Sequence, residues 1–238
     1  MKIHKKLKGD NLKKIMCAIS AIILFANISY GQLPVKPSLQ VAVKGAYSSM
    51  LSHYEITDEV SGFPGVQLEL TVDLNSQWGI YGNFGADFIS LKNSTIVDGT
   101  TTYELKTSTQ LSGYVGPRYY VNIPMSPTKI YFDAGVGIYS TKLGDLSATT
   151  STTNPPTTIT ASFSSVSQWG TNLGAGVNLA AGPNLNISLG AKYHFIFKKD
   201  NVEVTRTLST GTSVTGTGNA PEHSYIQFAA GVGYRFGL

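Results

Sequence analysis

Eight stretches of this chain alternate, residue by residue, between apolar side chains and polar or small ones, and every ionisable acid or base in them falls on the second side. The last stretch, IQFAAGVGYRFGL, sets Ile226, Phe228, Ala230, Val232, Tyr234, Phe236 and Leu238 against Gln227, Ala229, Gly231, Gly233, Arg235 and Gly237. A period of two is the signature of a β-strand with one apolar face. The same pattern runs through LQVAVKGAY (39–47), VQLELTVDL (66–74), WGIYGNFGADF (78–88) and LSGYVGPRYYV (111–121). It continues in IYFDAGVGIY (130–139), NLGAGVNL (172–179) and LNISLGAKYHFIF (185–197).

The connections between these strands also alternate. NSQ (75–77), IPMSPT (123–128) and AGP (181–183) are short; the stretches near 51–62, 93–103, 143–165 and 199–223 are longer and rich in Ser, Thr and Gly. Short turns at one end and long loops at the other describe an up-and-down barrel crossing an outer membrane. The sequence therefore predicts an all-β fold, an eight-stranded antiparallel up-and-down transmembrane β-barrel with short periplasmic turns and longer extracellular loops. An even strand number puts both chain ends at the short-turn side. A soluble β-sandwich or lipocalin-like barrel alternates too, but it needs charges on its wet face. Here only 13% of residues are charged, and the polar face is dominated by glycine and tyrosine, which suits an enclosed lumen.

The first fourteen residues hold six lysines and one acid, and the apolar run IMCAISAIILFANI (15–28) follows, then SYGQ. A basic head, a short apolar run and small residues at Ser29 and Gly31 make a secretory signal peptide. The predicted organisation is a cleaved signal at 1–31 and a barrel domain at 32–238, with Gln32 as first mature residue. The single cysteine, Cys17, sits at the start of the apolar run, where lipidation is not expected, and the mature chain carries no thiol. Without the leader, twelve basic residues face thirteen acidic ones. The formal charge of +4 is therefore a property of the leader, and a nucleic-acid partner has no electrostatic basis.

The predicted inward faces carry Lys44, Arg118, Lys192 and Arg235 against Glu69, Asp73, Asp87 and Asp133. Eight strands leave a bore just wide enough for side chains to fill, and inward glycines make room for the large ones. Buried charges persist when paired. Neighbouring strands suggest Lys44–Glu69 and Arg118–Asp133. Counting along each strand suggests Asp87–Lys192 across the bore and Arg235–Asp73 over one strand. Trp78, Tyr119, Phe132, Tyr234 and Phe236 mark the short-turn interface, and Tyr47, Phe88, Tyr193, Phe195, Phe197 and Phe228 the other, where amphipathic rings settle. Pro117, inside a doubly paired strand, predicts a bulge or local distortion.

Through GYVGPRYYV (113–121), FDAGVGIY (132–139) and FAAGVGYRF (228–236) the chain resembles the small outer-membrane β-barrel proteins, the family of the OmpA barrel and OmpX, in the form of the "porin family" barrels of Bacteroidota. The resemblance spans the whole mature chain and implies residence in the bacterial outer membrane. It implies contact with outer-membrane lipids and lipopolysaccharide, and with an unidentified extracellular or periplasmic protein. It also implies that the final strand, with Phe228, Val232, Tyr234, Phe236 and Leu238 on its outer face, is the signal read by the barrel assembly machinery. Some such relatives serve secretion or gliding; no residue here selects that role.

Three functions fit such a barrel. One is a structural or surface-interaction role with a plugged lumen; a second is a narrow porin-like channel for ions or small solutes. The third is a lipid A-modifying hydrolase or acyltransferase, for which Ser52, His53 and Asp58 are neighbours in one loop and His194 and His223 are the remaining mature histidines. Inward-facing His194 reads more simply as a lumen hydrogen-bonder. No spacing points to a metal, a nucleotide or another cofactor, and the expectation is a protein that is not an enzyme.

Overall fold

The structure, a computed structural model, describes residues 37–51, 62–90, 95–152 and 157–237. The predicted signal peptide with Cys17, the predicted first mature residue Gln32, the loop residues Ser52, His53 and Asp58, and Leu238 lie outside the described residues. Fourteen strands follow one another: β1 (Ser38–Met50), β2 (Phe63–Asp73), β3 (Trp78–Ile89), β4 (Thr95–Asp98), β5 (Thr101–Leu105), β6 (Ser108–Asn122) and β7 (Lys129–Lys142). Then come β8 (Leu146–Thr150), β9 (Thr157–Phe163), β10 (Val166–Ala180), β11 (Leu185–Ile196), β12 (Lys199–Leu208), β13 (Ser213–Ala220) and β14 (His223–Gly237).

Eight of them, in the order β1-β14-β11-β10-β7-β6-β3-β2, close into an antiparallel barrel. These are the eight alternating stretches of the sequence, most of them extended by a few residues, while β11 ends at Ile196, one residue short of its stretch. The predicted sides hold: Val43, Phe84, Val115, Leu173 and Val232 point outward and stay exposed, while Lys44, Asn83, Arg118, Asn172 and Gln227 are buried. Slipping one strand by a residue would move its charges to the outer face, at about 2–4 kcal/mol for a Lys or Arg at the bilayer midplane. The apolar pattern therefore fixes the register.

Closure needs a stagger. A line of directly opposed residues runs from Ser38 through Asp73, Gly79, Arg118, Asp133, Gly174, Lys192 and Gln227, and returns to β1 at Ser48. The ring thus closes ten residues higher on β1 than it began, at Ser48 instead of Ser38. This shear decides which charges meet.

Pro117 gives a distortion but no bulge. The β6–β7 pairing lapses between Val115↔Val136 and Arg118↔Asp133, and the register is the same on both sides. Proline has no N–H for the ladder, and pairing resumes at the next residue.

Much of the long connections is also strand. Here the structure corrects the reading of 93–103, 143–165 and 199–223 as loops. A six-stranded sheet, β13-β12-β9-β8-β5-β4, repeats the order of the barrel strands β14-β11-β10-β7-β6-β3. The β5–β8 pair keeps the register of β6–β7, with Leu105 opposite Leu146 as Thr109 is opposite Lys142. The sheet prolongs three quarters of the barrel wall. Threonine, β-branched and at home in strands, supplies its ladders: Thr149–Thr158 at 2.9 Å and Thr205–Thr215 at 3.0 Å. On the opposite face two apolar rows cross the strands in register, Ile96–Tyr103–Ala148–Ile159 and Leu105–Leu146–Ala161–Leu208.

Candidate functional site in the barrel bore

Arg118 on β6 is the centre of the bore. Its Nε and Nη2 donate to Asp133 Oδ1 and Oδ2 at 2.7 and 3.0 Å. Its Nη1 donates to Glu69 Oε1 at 2.9 Å and to Thr71 Oγ1 at 3.2 Å. Lys44 Nζ lies 2.8 Å from Glu69 Oε2, and Lys192 Nζ lies 2.9 Å from Asp133 Oδ2 and 4.0 Å from Glu69 Oε2. Five barrel strands each contribute one charge, and all five side chains are buried. Three cations share two carboxylates, so each carboxylate bridges two or three partners. Such a network offsets desolvation only while it is complete.

Rings and missing side chains shape the space around it. The guanidinium of Arg118 lies 4.2 Å from the centroid of Tyr131, and Lys192 Nζ lies 4.0 Å from that of Tyr81, both within cation–π range. Tyr131 is pressed against the backbone at Gly176 and Gly190; a Cβ at Gly176 would collide with its ring and with the carbonyl of Leu189. A Cβ at Gly174 would stand 2.6 Å from Lys192 Cγ. That glycine is the gap through which Lys192 crosses β10 to reach Asp133.

Here the expected partners divide. Lys44–Glu69 and Arg118–Asp133 form as neighbouring strands suggested. Arg235 Nη2 lies 3.5 Å from Asp73 Oδ2, over β1 as expected, with Ser38 and Tyr120 also donating to Asp73. The Asp87–Lys192 pair does not form. The shear places Lys192 on the register line of Arg118 and Asp133, whereas Asp87 sits higher and accepts instead from Gln227 Nε2 at 3.1 Å. Gln227 also bonds Ser48 and Gln67, and Asn83 donates to Gln67.

Towards the loop end the bore is filled by aromatic packing. Phe63, Tyr81, Tyr114, Tyr139, Ile196 and Tyr225 form one buried cluster, with Met50 and Ile89 against it. His194 stacks on Tyr225 with centroids 4.5 Å apart, and its Nδ1 lies 2.9 Å from the Tyr139 hydroxyl. His194 is a hydrogen-bonder inside the bore, as its inward position predicts, but the aromatic layer around it was not anticipated from the sequence. The signal was present, since Tyr81, Tyr114, Tyr139 and Tyr225 all fall on inward positions. On the outside, Trp78–Tyr119 and Tyr234–Phe236 pair at 4.9 and 4.8 Å at the short-turn end, and Phe195–Phe197 at 5.4 Å at the other. Phe228, Val232, Tyr234 and Phe236 are all exposed on the outer face of β14.

A closed, apolar-belted barrel around a charged interior defines an integral membrane β-barrel. The model of the outer membrane protein beta-barrel domain matches residues 23–236, and the chain belongs to that family. Its place is the bacterial outer membrane. No curated protein matches the sequence. Among solved structures, a major outer membrane protein from Thermus thermophilus is 13% identical, with 83% of this chain and 99% of that one covered and a TM-score of 0.54. Ail, the attachment invasion locus protein of Yersinia pestis, is 16% identical over 85% of this chain and 100% of its own, with a TM-score of 0.45. OprG of Pseudomonas aeruginosa is 15% identical over 85% and 97%, with a TM-score of 0.46. At 13% identity, the likeness to the Thermus thermophilus protein speaks to the fold alone.

Proposed function

We propose that this barrel does not conduct and is not an enzyme, and that it acts through the sheet prolonging its wall. The observation that carries this is the filled bore. The Lys44–Glu69–Arg118–Asp133–Lys192 network and the aromatic cluster above it occupy the lumen from strand to strand. With His194 held between Tyr139 and Tyr225, the bore offers no exposed nucleophile and base among the described residues. The extension, in contrast, presents Ile96, Tyr103, Ile159 and Val214 to the surroundings on a face with few charges. Exposed apolar patches of this kind are where partners dock. In this reading residues 1–31 are a cleaved leader and the short turns face the periplasm. The extension then stands on the cell surface, above lipids and lipopolysaccharide, within reach of a protein partner. The assembly machinery reads β14.

The test is conductance of the purified mature protein in planar bilayers. Silence, apart from rare brief openings, is the expected record. Steady ohmic steps would replace this proposal with a narrow channel for ions or small solutes.

A further inference from the structure

At the short-turn mouth of the barrel is a cavity of about 50 Å³ that the filled bore does not use. The turn after β6, the turn after β10 and the end of β14 surround it, and Lys129, Asn178, Asn184, Asn186 and Arg235 supply its polar lining. Lys129 and Asn178 are directly opposed on β7 and β10. Asn178 is 4% exposed, and neither its Nδ2 nor its Oδ1 has a hydrogen-bond partner. The Nε of Arg235 is likewise buried without an acceptor. Lys129 makes no ion pair among the described residues; its ammonium lies 5.2 Å from the Tyr120 ring centroid.

The charge here is unbalanced. Among the described residues, two cationic side chains border the cavity and one carboxylate is near, and that carboxylate, Asp73, is already held by Ser38, Tyr120 and Arg235. A water molecule would satisfy Asn178 but leave Lys129 uncompensated. A cation would be repelled by both basic groups. A compact anion with two or more oxygens accepts from Asn178 Nδ2 and Arg235 Nε and neutralises Lys129, which leaves only the Asn178 Oδ1 acceptor to a water molecule. Charge-assisted bonds of this kind are short and strong.

We propose that this mouth is a binding site for a compact oxyanion, either free phosphate or the terminal carboxylate of a peptide. The polarity of the cavity selects the oxyanion and its small volume selects the size. A peptide reaching it from the periplasm rests on the orientation given under Proposed function; binding itself does not.

The test uses the whole mature chain folded in uncharged detergent micelles. Inorganic phosphate, acetyl-diglycine and acetyl-diglycine amide are titrated in turn at constant ionic strength. Calorimetry and the Asn178 side-chain amide resonance are followed. One saturable site is expected for phosphate, for acetyl-diglycine or for both, which identifies the source, and none for the amide. Lys129→Met should weaken binding about tenfold, the worth of one hydrogen bond to a charged group. Asn178→Asp, which adds a carboxylate to the cavity, should abolish it. Heat-modifiable gel migration shows that each variant has folded. The proposal is overturned if neither oxyanion saturates, if the amide binds as well as the acid, or if either folded variant binds like the parent.

Discussion

Arg118 is forked onto Asp133, two parallel N–H···O bonds of 2.7 and 3.0 Å between side chains wholly enclosed by the barrel. A bidentate pair of this kind has one geometry, and lysine cannot reproduce it. Arg118→Met strands Asp133 and Glu69 with fewer donors. It should cost about 3–5 kcal/mol, the usual result of breaking a buried pair from one side, seen as a lower midpoint in urea. Adding Asp133→Leu should recover only part of that, because Glu69 still lacks Arg118 and Lys192 then lacks Asp133. A single and double mutant with equal midpoints would show that the network is solvated.

The shear makes a second prediction. Lys192 and Asp133 lie on one register line with Gly174 between them, so Lys192→Met and Asp133→Asn should be strongly non-additive, with a coupling of about 0.5–3 kcal/mol. Lys192→Met and Asp87→Asn should simply add. Asp87 takes its bond from Gln227, and an asparagine carbonyl accepts that bond equally well. Two double-mutant cycles in urea decide it, and coupling between Lys192 and Asp87 would contradict the geometry.

These two cases also divide what the sequence discloses from what it withholds. Alternation is legible because lipid outside and a crowded bore inside penalise every slipped register, so strands, faces and neighbouring-strand pairs such as Lys44–Glu69 can be read directly. Shear is a property of the closed ring; no single strand encodes it, and counting from strand ends therefore misplaced Lys192. The extension was hidden for another reason. Threonine fills one of its faces and appears on the other at Thr101, Thr150 and Thr157, which blurs the period of two. Its apolar rows, such as Ile96–Tyr103–Ala148–Ile159, emerge only once the strands are laid side by side.

Gly176 tests how tightly the bore is filled. A valine there would collide with Tyr131, whose ring supports Arg118, and with the backbone of β11. Overpacking costs about 1–3 kcal/mol where neighbours can shift; here the neighbour is partly backbone. Gly176→Val should give a barrel that unfolds at lower urea, and Gly176→Val with Tyr131→Ala should recover some of the loss. No recovery would place the clash with the backbone alone.

The extension should be separable from the barrel. Ile159 is exposed on the apolar face, opposite Ala148 on β8, and touches neither the ion network nor the aromatic cluster. Ile159→Asp with Tyr103→Ser should leave the unfolding free energy from urea titration within about 0.5 kcal/mol of the parent, as surface substitutions do. It should reduce whatever adhesion to partner proteins the cell surface shows. A large loss of barrel stability would instead make that face structural.

The last strand carries two roles that can be told apart. Tyr234 and Phe236 pair at 4.8 Å on the lipid face of β14, opposite Val41 and Leu39 of β1, where the barrel closes. Replacing both with serine removes apolar area from the belt near the interface, where the lipid-face penalty is smallest. Refolding of the purified variant into detergent micelles should therefore succeed, with heat-modifiable migration retained. If β14 is also what the assembly machinery reads, the same variant in cells should accumulate in the periplasm or be degraded. Normal levels of surface-exposed barrel in cells would remove the recognition role from these two side chains, and failure in both settings would assign them to closure of the barrel alone.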